Sequence, residues 1–251
     1  MHLIDCFAHT NRWRKRHPAE KAGLALGLLV FVLALPWPGS VAALVVATAS
    51  ALLGARIPWR VWTKVMAIPL VFLLLSGALL AVGLEHTPDG LRIVCSESRL
   101  HPALIVMNRA FAAAACLNLL ALTTPAHEWV PLLRRCRVPA VVLDLMLMVY
   151  RMLFVLVERL SVMQTAQAAR LGYVSRANRM RSYGFLGACL LTRAMERAGR
   201  MEACLAARGG SGEFPMLPCS REPSRRFVVF VGVVLLGVLG VGLLGRYFGY
   251  V

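Results

Sequence analysis

The sequence is short of acid and of lysine. Twelve Asp and Glu stand against 28 Lys and Arg in 251 residues, and only Lys15, Lys21 and Lys64 are lysine. The charged share, 16%, is well under the roughly 25% of a soluble domain. The seven cysteines (Cys6, Cys95, Cys116, Cys136, Cys189, Cys204 and Cys219) contain no CxxC pair and are odd in number. They read as small apolar residues or free thiols, not as a disulfide framework or a zinc site. No P-loop is present, so the chain does not itself hydrolyse ATP. There is no HExxH, GxSxG or paired-carboxylate constellation either, and no catalytic residue is expected. The six His (His2, His9, His17, His86, His101 and His127) are scattered through predicted loops and termini. His86 and His101 flank one outer loop, but no metal or cofactor site is assigned. The N-terminus lacks a small-residue cleavage site, so the first apolar stretch is expected to stay in the mature protein.

What the sequence has is apolar length. It is 59% hydrophobic with a mean hydropathy of +0.67, more apolar surface than a soluble fold of this size can hide. The apolar runs cover about Ala22–Trp37, Ser40–Ala55, Met66–Leu84, Ala103–Thr123, Val138–Val157 and Phe227–Leu244. A helix needs roughly 20 residues to cross the hydrocarbon core. The third, fourth and sixth runs qualify. The first two, joined by Pro36-Trp37-Pro38-Gly39, read as a hairpin of two thin spans.

Charge then sets topology, because basic residues near span ends stay in the cytoplasm. With the N-terminus inside, Arg12, Arg14, Lys15, Arg16, Lys21, Arg56, Arg60, Lys64 and the sixteen Arg from Arg134 to Arg226 are all inside. Only Arg92, Arg99 and Arg246 fall outside, and Arg109 lies within a span. Making Val138–Val157 a further span would put the twelve Arg from Arg159 to Arg226 outside. It would also bury Asp144 and Arg151 in the bilayer, at about 2.5–3.5 kcal/mol for each charge. The run is therefore expected to lie along or under the membrane without crossing, with a re-entrant pair of helices as the alternative. The fold class is all-α: a polytopic membrane protein with about five transmembrane helices plus a cytoplasmic helical segment. The expected parts are a four-span region 1–124, a cytoplasmic segment 125–226 and a C-terminal span 227–251. Gly209–Ser224 reads as a linker.

Two long helices are expected in the basic segment, about Pro139–Leu171 and Tyr183–Arg208. In the second, Leu190, Ala194, Ala198, Met201 and Leu205 form one apolar stripe, with Arg193, Arg197, Arg200 and Arg208 on an adjacent face. Seven of the eleven Met lie between Met146 and Met201. Met is flexible and polarizable and suits surfaces that accept more than one packing. Met146, Met148, Met152, Met163, Met195 and Met201 are thus candidates for an adjustable protein contact. Both helices close alike, on Ala169-Arg170-Leu171-Gly172 and on Ala207-Arg208-Gly209. A glycine just past a helix end is expected to take the left-handed conformation that caps it. The Arg is left at the tip, where its planar fork can hold a carboxylate through two hydrogen bonds. Arg109 is the one basic charge inside a span, and such charges are functional or paired.

On these residues the sequence resembles the T component of energy-coupling factor (ECF) transporters, most closely the CbiQ-like cobalt-transport subunits. The second tip matches that family's Ala-Arg-Gly signature intact. The first departs from it, with Leu171 after the Arg and Gly172 one place late. Asn11-Arg12-Trp13 and His17-Pro18-Ala19-Glu20-Lys21 also look like the family's opening. The resemblance implies a coupling subunit of an ATP-driven importer, for cobalt uptake linked to cobalamin biosynthesis, in the inner membrane of a prokaryote. It implies that Ala169, Arg170, Gly172, Ala207, Arg208 and Gly209 engage ABC-type ATPase subunits. The Met-bearing faces would meet a substrate-binding membrane subunit, CbiM-like, with a small CbiN-like subunit as a further partner. ATP would be bound by the ATPase and cobalt ion by the substrate-binding subunit, with no cofactor on this chain. Nickel or a vitamin is the alternative substrate. A stand-alone permease would need polar residues lining several spans, and only Asn108, Arg109 and Asn118 are there. An intramembrane enzyme is the remaining rival. Membrane lipid is an expected partner; nucleic acid is not, since no nucleic-acid motif accompanies the Arg.

Overall fold

The computed structural model describes residues 11–87, 90–95, 97–207, 209 and 224–247. A short 3-10 turn, Arg12–Lys15, leads into α1, Pro18–Ala34. His17 caps that helix, its Nδ1 accepting the Ala19 N–H at 3.1 Å. Pro18 sits at the first helical position, where a missing N–H breaks no bond. Leu35 leaves the helix because Pro36 follows it and disfavours helical geometry at the preceding residue. α2 then runs Trp37–Ala49 and widens into a π turn, Ser50–Gly54. The expected hairpin of two helices is present.

α3 spans Trp59–Ala81. It starts seven residues before the expected Met66, because no breaker separates Pro58 from that point. It also stops short of Leu84. Val82–Thr87 forms β1, paired antiparallel with β2, Gly90–Cys95, in the register Val82↔Cys95 to Thr87↔Gly90. This hairpin is the one departure from an all-helical chain among the described residues, and the apolar run that ends at Leu84 concealed it. α4 is Glu97–Thr123. After a 3-10 turn, Ala126–Trp129, come α5 (Val130–Arg135), α6 (Ala140–Ala169), α7 (Arg176–Ala207) and α8 (Arg225–Tyr247). α7 begins seven residues before the expected Tyr183.

Five helices are long and apolar enough to cross a membrane: Trp37–Gly54, Trp59–Gly77, Pro102–Thr123, Ala140–Ala169 and Arg225–Tyr247. The number equals the expected number of spans, but the membership differs. α6 meets the criterion by length and composition, whereas α1, with 17 residues, does not. At 1.5 Å per residue α1 is about 25 Å long, short of the roughly 30 Å hydrocarbon core.

The chain divides into two compact units, Met1–Trp129 with Ser220–Val251, and Val130–Cys219. In the first, α1, α2, α3, α4 and α8 pack around Leu24, Leu28, Val32, Ala43, Ala47, Ala115 and Leu119. Small residues let α8 approach the α1–α2 corner closely: a Cβ at Gly242 would strike Leu35, one at Gly245 would strike Pro38, and one at Gly39 would lie 3.3 Å from the Gly242 Cα. Such close backbone contact drives helix association where lipid removes the hydrophobic force. Outward, Leu33, Leu53, Ile68, Phe72, Leu75, Val233 and Leu236 are exposed, an apolar girdle suited to lipid. In the second unit α7 packs on α6, and α6 on α5.

Candidate functional site

The first tip is a complete helix stop. The Gly172 N–H reaches back to the Gln167 carbonyl at 2.9 Å, and the Leu171 N–H to the Ala168 carbonyl at 3.1 Å. These are the two bonds of a Schellman motif. The left-handed residue is Leu171, at φ 58°, not Gly172 as expected. Gly172 is needed for a different reason. A Cβ there would lie 2.6 Å from the Ser182 hydroxyl oxygen, and that hydroxyl donates to the Gly172 carbonyl at 2.9 Å. The glycine lets the start of α7 fold back on the end of α6. Ala169 and Arg170 are exposed.

At the second tip Gly209 takes φ 65°, and its N–H bonds the Ala206 carbonyl at 3.1 Å. Ala207 is exposed; Arg208 lies outside the described residues. In both tips the residue after the Arg is left-handed, Leu171 in one and Gly209 in the other.

Between the tips lies a groove of about 880 Å³. The whole expected stripe, Leu190, Ala194, Ala198, Met201 and Leu205, faces it from α7, and Met148, Met152, Leu153, Leu156 and Leu160 face it from α6. Of the six candidate Met, the groove gathers Met148, Met152 and Met201. Met146 and Met163 do not line it, and Met195 is exposed away from it. Arg197 Nε donates to Met152 Sδ at 3.2 Å. Beside the groove, Arg159, Arg193, Arg197 and Arg200 line a second hollow with Glu196, which faces Arg200 at 3.8 Å. On α6, Asp144 is buried, while Arg151 and Glu158 are exposed.

Arg109 is paired. Its guanidinium donates to the Leu35 carbonyl at 2.9 Å, at the end of α1, where the helix dipole is negative. The neighbouring Asn108 donates to the Ser40 hydroxyl at 2.7 Å. Together they tie α4 to the α1–α2 corner.

The residues that sequence reasoning missed form a clasp around the start of α1. Lys21 and Glu128 make an ion pair at 2.8 Å with side chains 0% and 5% exposed, and Lys21 Nζ also donates to the Thr123 carbonyl at 3.0 Å. Asn11 Nδ2 donates to the Leu122 carbonyl at 2.9 Å. Glu20 accepts the N–H of Ser224, which precedes α8. Trp13 meets Phe227 edge-on at 5.4 Å. The quoted opening of the sequence thus joins the ends of α1, α4 and α8. The one available signal was that opening itself; read as charges, Lys21 and Glu128 were ordinary cytoplasmic residues. Among the described residues no three His, Cys, Asp or Glu side chains group as a metal site.

These features define a class, a multi-pass helical membrane protein with an appended pair of long helices ending in matched tips. The profile of the CbiQ family, described as cobalt transport protein, matches residues 10–217. The chain is 39% identical to the cobalt transport protein CbiQ of Rhodobacter capsulatus, over 96% of this chain and 98% of that one. It is 27% identical to CbiQ of Salmonella typhimurium, over 84% and 98% respectively. It is also 27% identical, over 74% of its length, to 33% of a putative fused cobalt transport protein CbiMQ from Methanocorpusculum labreanum. The chain belongs to the CbiQ cobalt transport protein family, whose members are transport components and not enzymes.

Proposed function

We propose that this chain is the transmembrane coupling subunit of an ATP-driven ECF-type importer, taking up cobalt for cobalamin biosynthesis. The observation that carries the reading is the matched termination of α6 and α7: an exposed Ala, an Arg, then a left-handed residue, Leu171 or Gly209. A left-handed stop lets the backbone turn away and leaves the Arg at the apex. There a guanidinium can fork onto a carboxylate of an ABC-type ATPase subunit.

The Arg distribution supports a cytoplasmic N-terminus and a cytoplasmic α6–α7 pair in a prokaryotic inner membrane. α7 is too rich in Arg to cross, and a spanning α6 would carry it to the wrong side. The Met-lined groove suits a substrate-binding membrane subunit that must move against it. A CbiM-like protein fits that place, because the relative from Methanocorpusculum labreanum is named as a CbiM–CbiQ fusion; a small CbiN-like subunit would join it. In this reading ATP belongs to the ATPase, cobalt to the substrate-binding subunit, and this chain transmits displacement through Arg170 and Arg208.

Cobalt uptake by cells lacking the native copy tests the proposal. Arg170→Glu and Arg208→Glu together are expected to abolish restored uptake while membrane insertion stays normal. Undiminished uptake by that variant would contradict it.

A further inference from the structure

Beside the clasp is a hollow that the coupling role does not use. Arg12, Trp13 and Arg16 form its rim, Val46, Ala49, Ser50, Leu53 and Gly54 one wall, and Phe227, Phe230 and Val234 the other, around about 540 Å³. Its shape follows from two local features. The π turn Ser50–Gly54, closed by the Ala55 N–H on the Ser50 carbonyl at 2.9 Å, widens the end of α2. Such turns interrupt helices at functional sites more often than chance. Gly54 then admits the Trp13 indole, which a Cβ there would displace.

The rim is cationic and held in place. Arg16 stacks its guanidinium over the Phe227 ring at 4.5 Å from the centroid, and the Arg12 N–H bonds the Ala55 carbonyl at 3.3 Å. Neither Arg12 nor Arg16 has a carboxylate at ion-pair distance among the described residues. Stacking fixes the plane of Arg16 but leaves its N–H edge free to donate. The walls are apolar and belong to α2 and α8, both long and apolar enough to cross a membrane. Leu53 is 77% and Phe230 50% exposed. The two guanidinium groups therefore sit at the ends of membrane helices, and the apolar crevice runs from them along the same helices.

We propose that this hollow binds one anionic glycerophospholipid. Arg12 and Arg16 hold the phosphate, with Ser50 adding a hydroxyl. One acyl chain lies along Val46, Leu53, Phe230 and Val234. Charge complementarity selects the headgroup, because among the described residues no carboxylate lies at ion-pair distance from the pair and basic hollows between membrane helices take anionic lipid. The apolar walls select an amphiphile over a soluble anion. The bound lipid would join α2 to α8 beside the Trp13–Phe227 contact.

Native mass spectrometry of the detergent-purified full chain tests this, using dioleoyl phosphatidylglycerol, dioleoyl phosphatidylcholine and glycerol 3-phosphate as probes. The wild type is expected to retain one phosphatidylglycerol in preference to phosphatidylcholine and no glycerol 3-phosphate. Arg12→Gln with Arg16→Gln should cut the preference roughly twenty-five-fold, about fivefold for each charge. Arg14→Gln, outside the hollow, should leave it unchanged. If the double variant does not fold, Leu53→Glu at the exposed wall should lower the preference instead. Absence of preference in the wild type, equal retention of glycerol 3-phosphate, or full preference in the double variant or in Leu53→Glu would overturn the proposal. So would occupation of the hollow by a protein subunit that excludes lipid in the assembled complex.

Discussion

Leu171 does what a glycine does at the other tip. An L-residue in the left-handed region costs roughly 1–2 kcal/mol, and Leu171 is 69% exposed, so its side chain returns little packing energy. Leu171→Gly is expected to stabilise the chain by about 0.5–1 kcal/mol, net of the greater freedom of glycine in the unfolded state. Leu171→Val should do the reverse, because a β-branched residue is poorly tolerated there. Thermal unfolding in detergent distinguishes the two. Lys21 and Glu128 make a sharper case. Removing one partner leaves a buried charge alone, so Lys21→Met should cost about 3–5 kcal/mol, and adding Glu128→Leu should restore most of it. A single loss no larger than that of an exposed Arg would contradict the pair's burial. Neither residue could be paired from the sequence. They lie 107 positions apart, and each fits a surface charge equally well. Arg109 was legible as a charge needing a partner, but a backbone carbonyl leaves no mark in the sequence.

Elements were legible where one physical pattern dominates. The stripe on α7 was readable because a 3.6-residue period gathers its apolar residues on one face, and that face lines the groove. The α1–α2 corner was readable because Pro36 leaves Leu35 no helical option. Element ends were less legible. α3 continues upstream through Trp59 and Trp62, which suit an interface and a helix alike. Downstream the apolar run passes into β1 without a change of composition, so hydropathy alone could not place the boundary. The contact of α8 with the α1–α2 corner gives a test at this scale. Gly242→Val pushes two methyl groups toward Leu35, and overpacking of this kind costs about 1–3 kcal/mol. A matching fall in melting temperature is expected, and no fall would mean that α8 packs less closely on the α1–α2 corner.

At the scale of the molecule, composition alone reached the class, since lipid is the solvent in which this much apolar surface is stable. Orientation rests on charge. α6 meets the length and apolarity of a span, so the argument against crossing rests on charge, on Asp144 and Arg151 within it and on the Arg that follow it. Cys204, exposed on α7, reports on this directly. As the sole cysteine, it should react with a membrane-impermeant thiol reagent in inside-out vesicles and not in intact cells. Reaction from outside would mean that α6 crosses. The partner surfaces were the least legible part, because a tip or a groove acquires a partner only in an assembly. Family likeness gave the names that physics could not.

Co-purification tests the coupling claim most directly. The chain is co-expressed with ABC-type ATPase subunits from the same organism, in native form and with Arg170 and Arg208 both changed to Ala. The account predicts ATPase recovered with the native chain and lost or strongly reduced with the variant, while both insert equally. Equal recovery with both forms, or none with either, would contradict it.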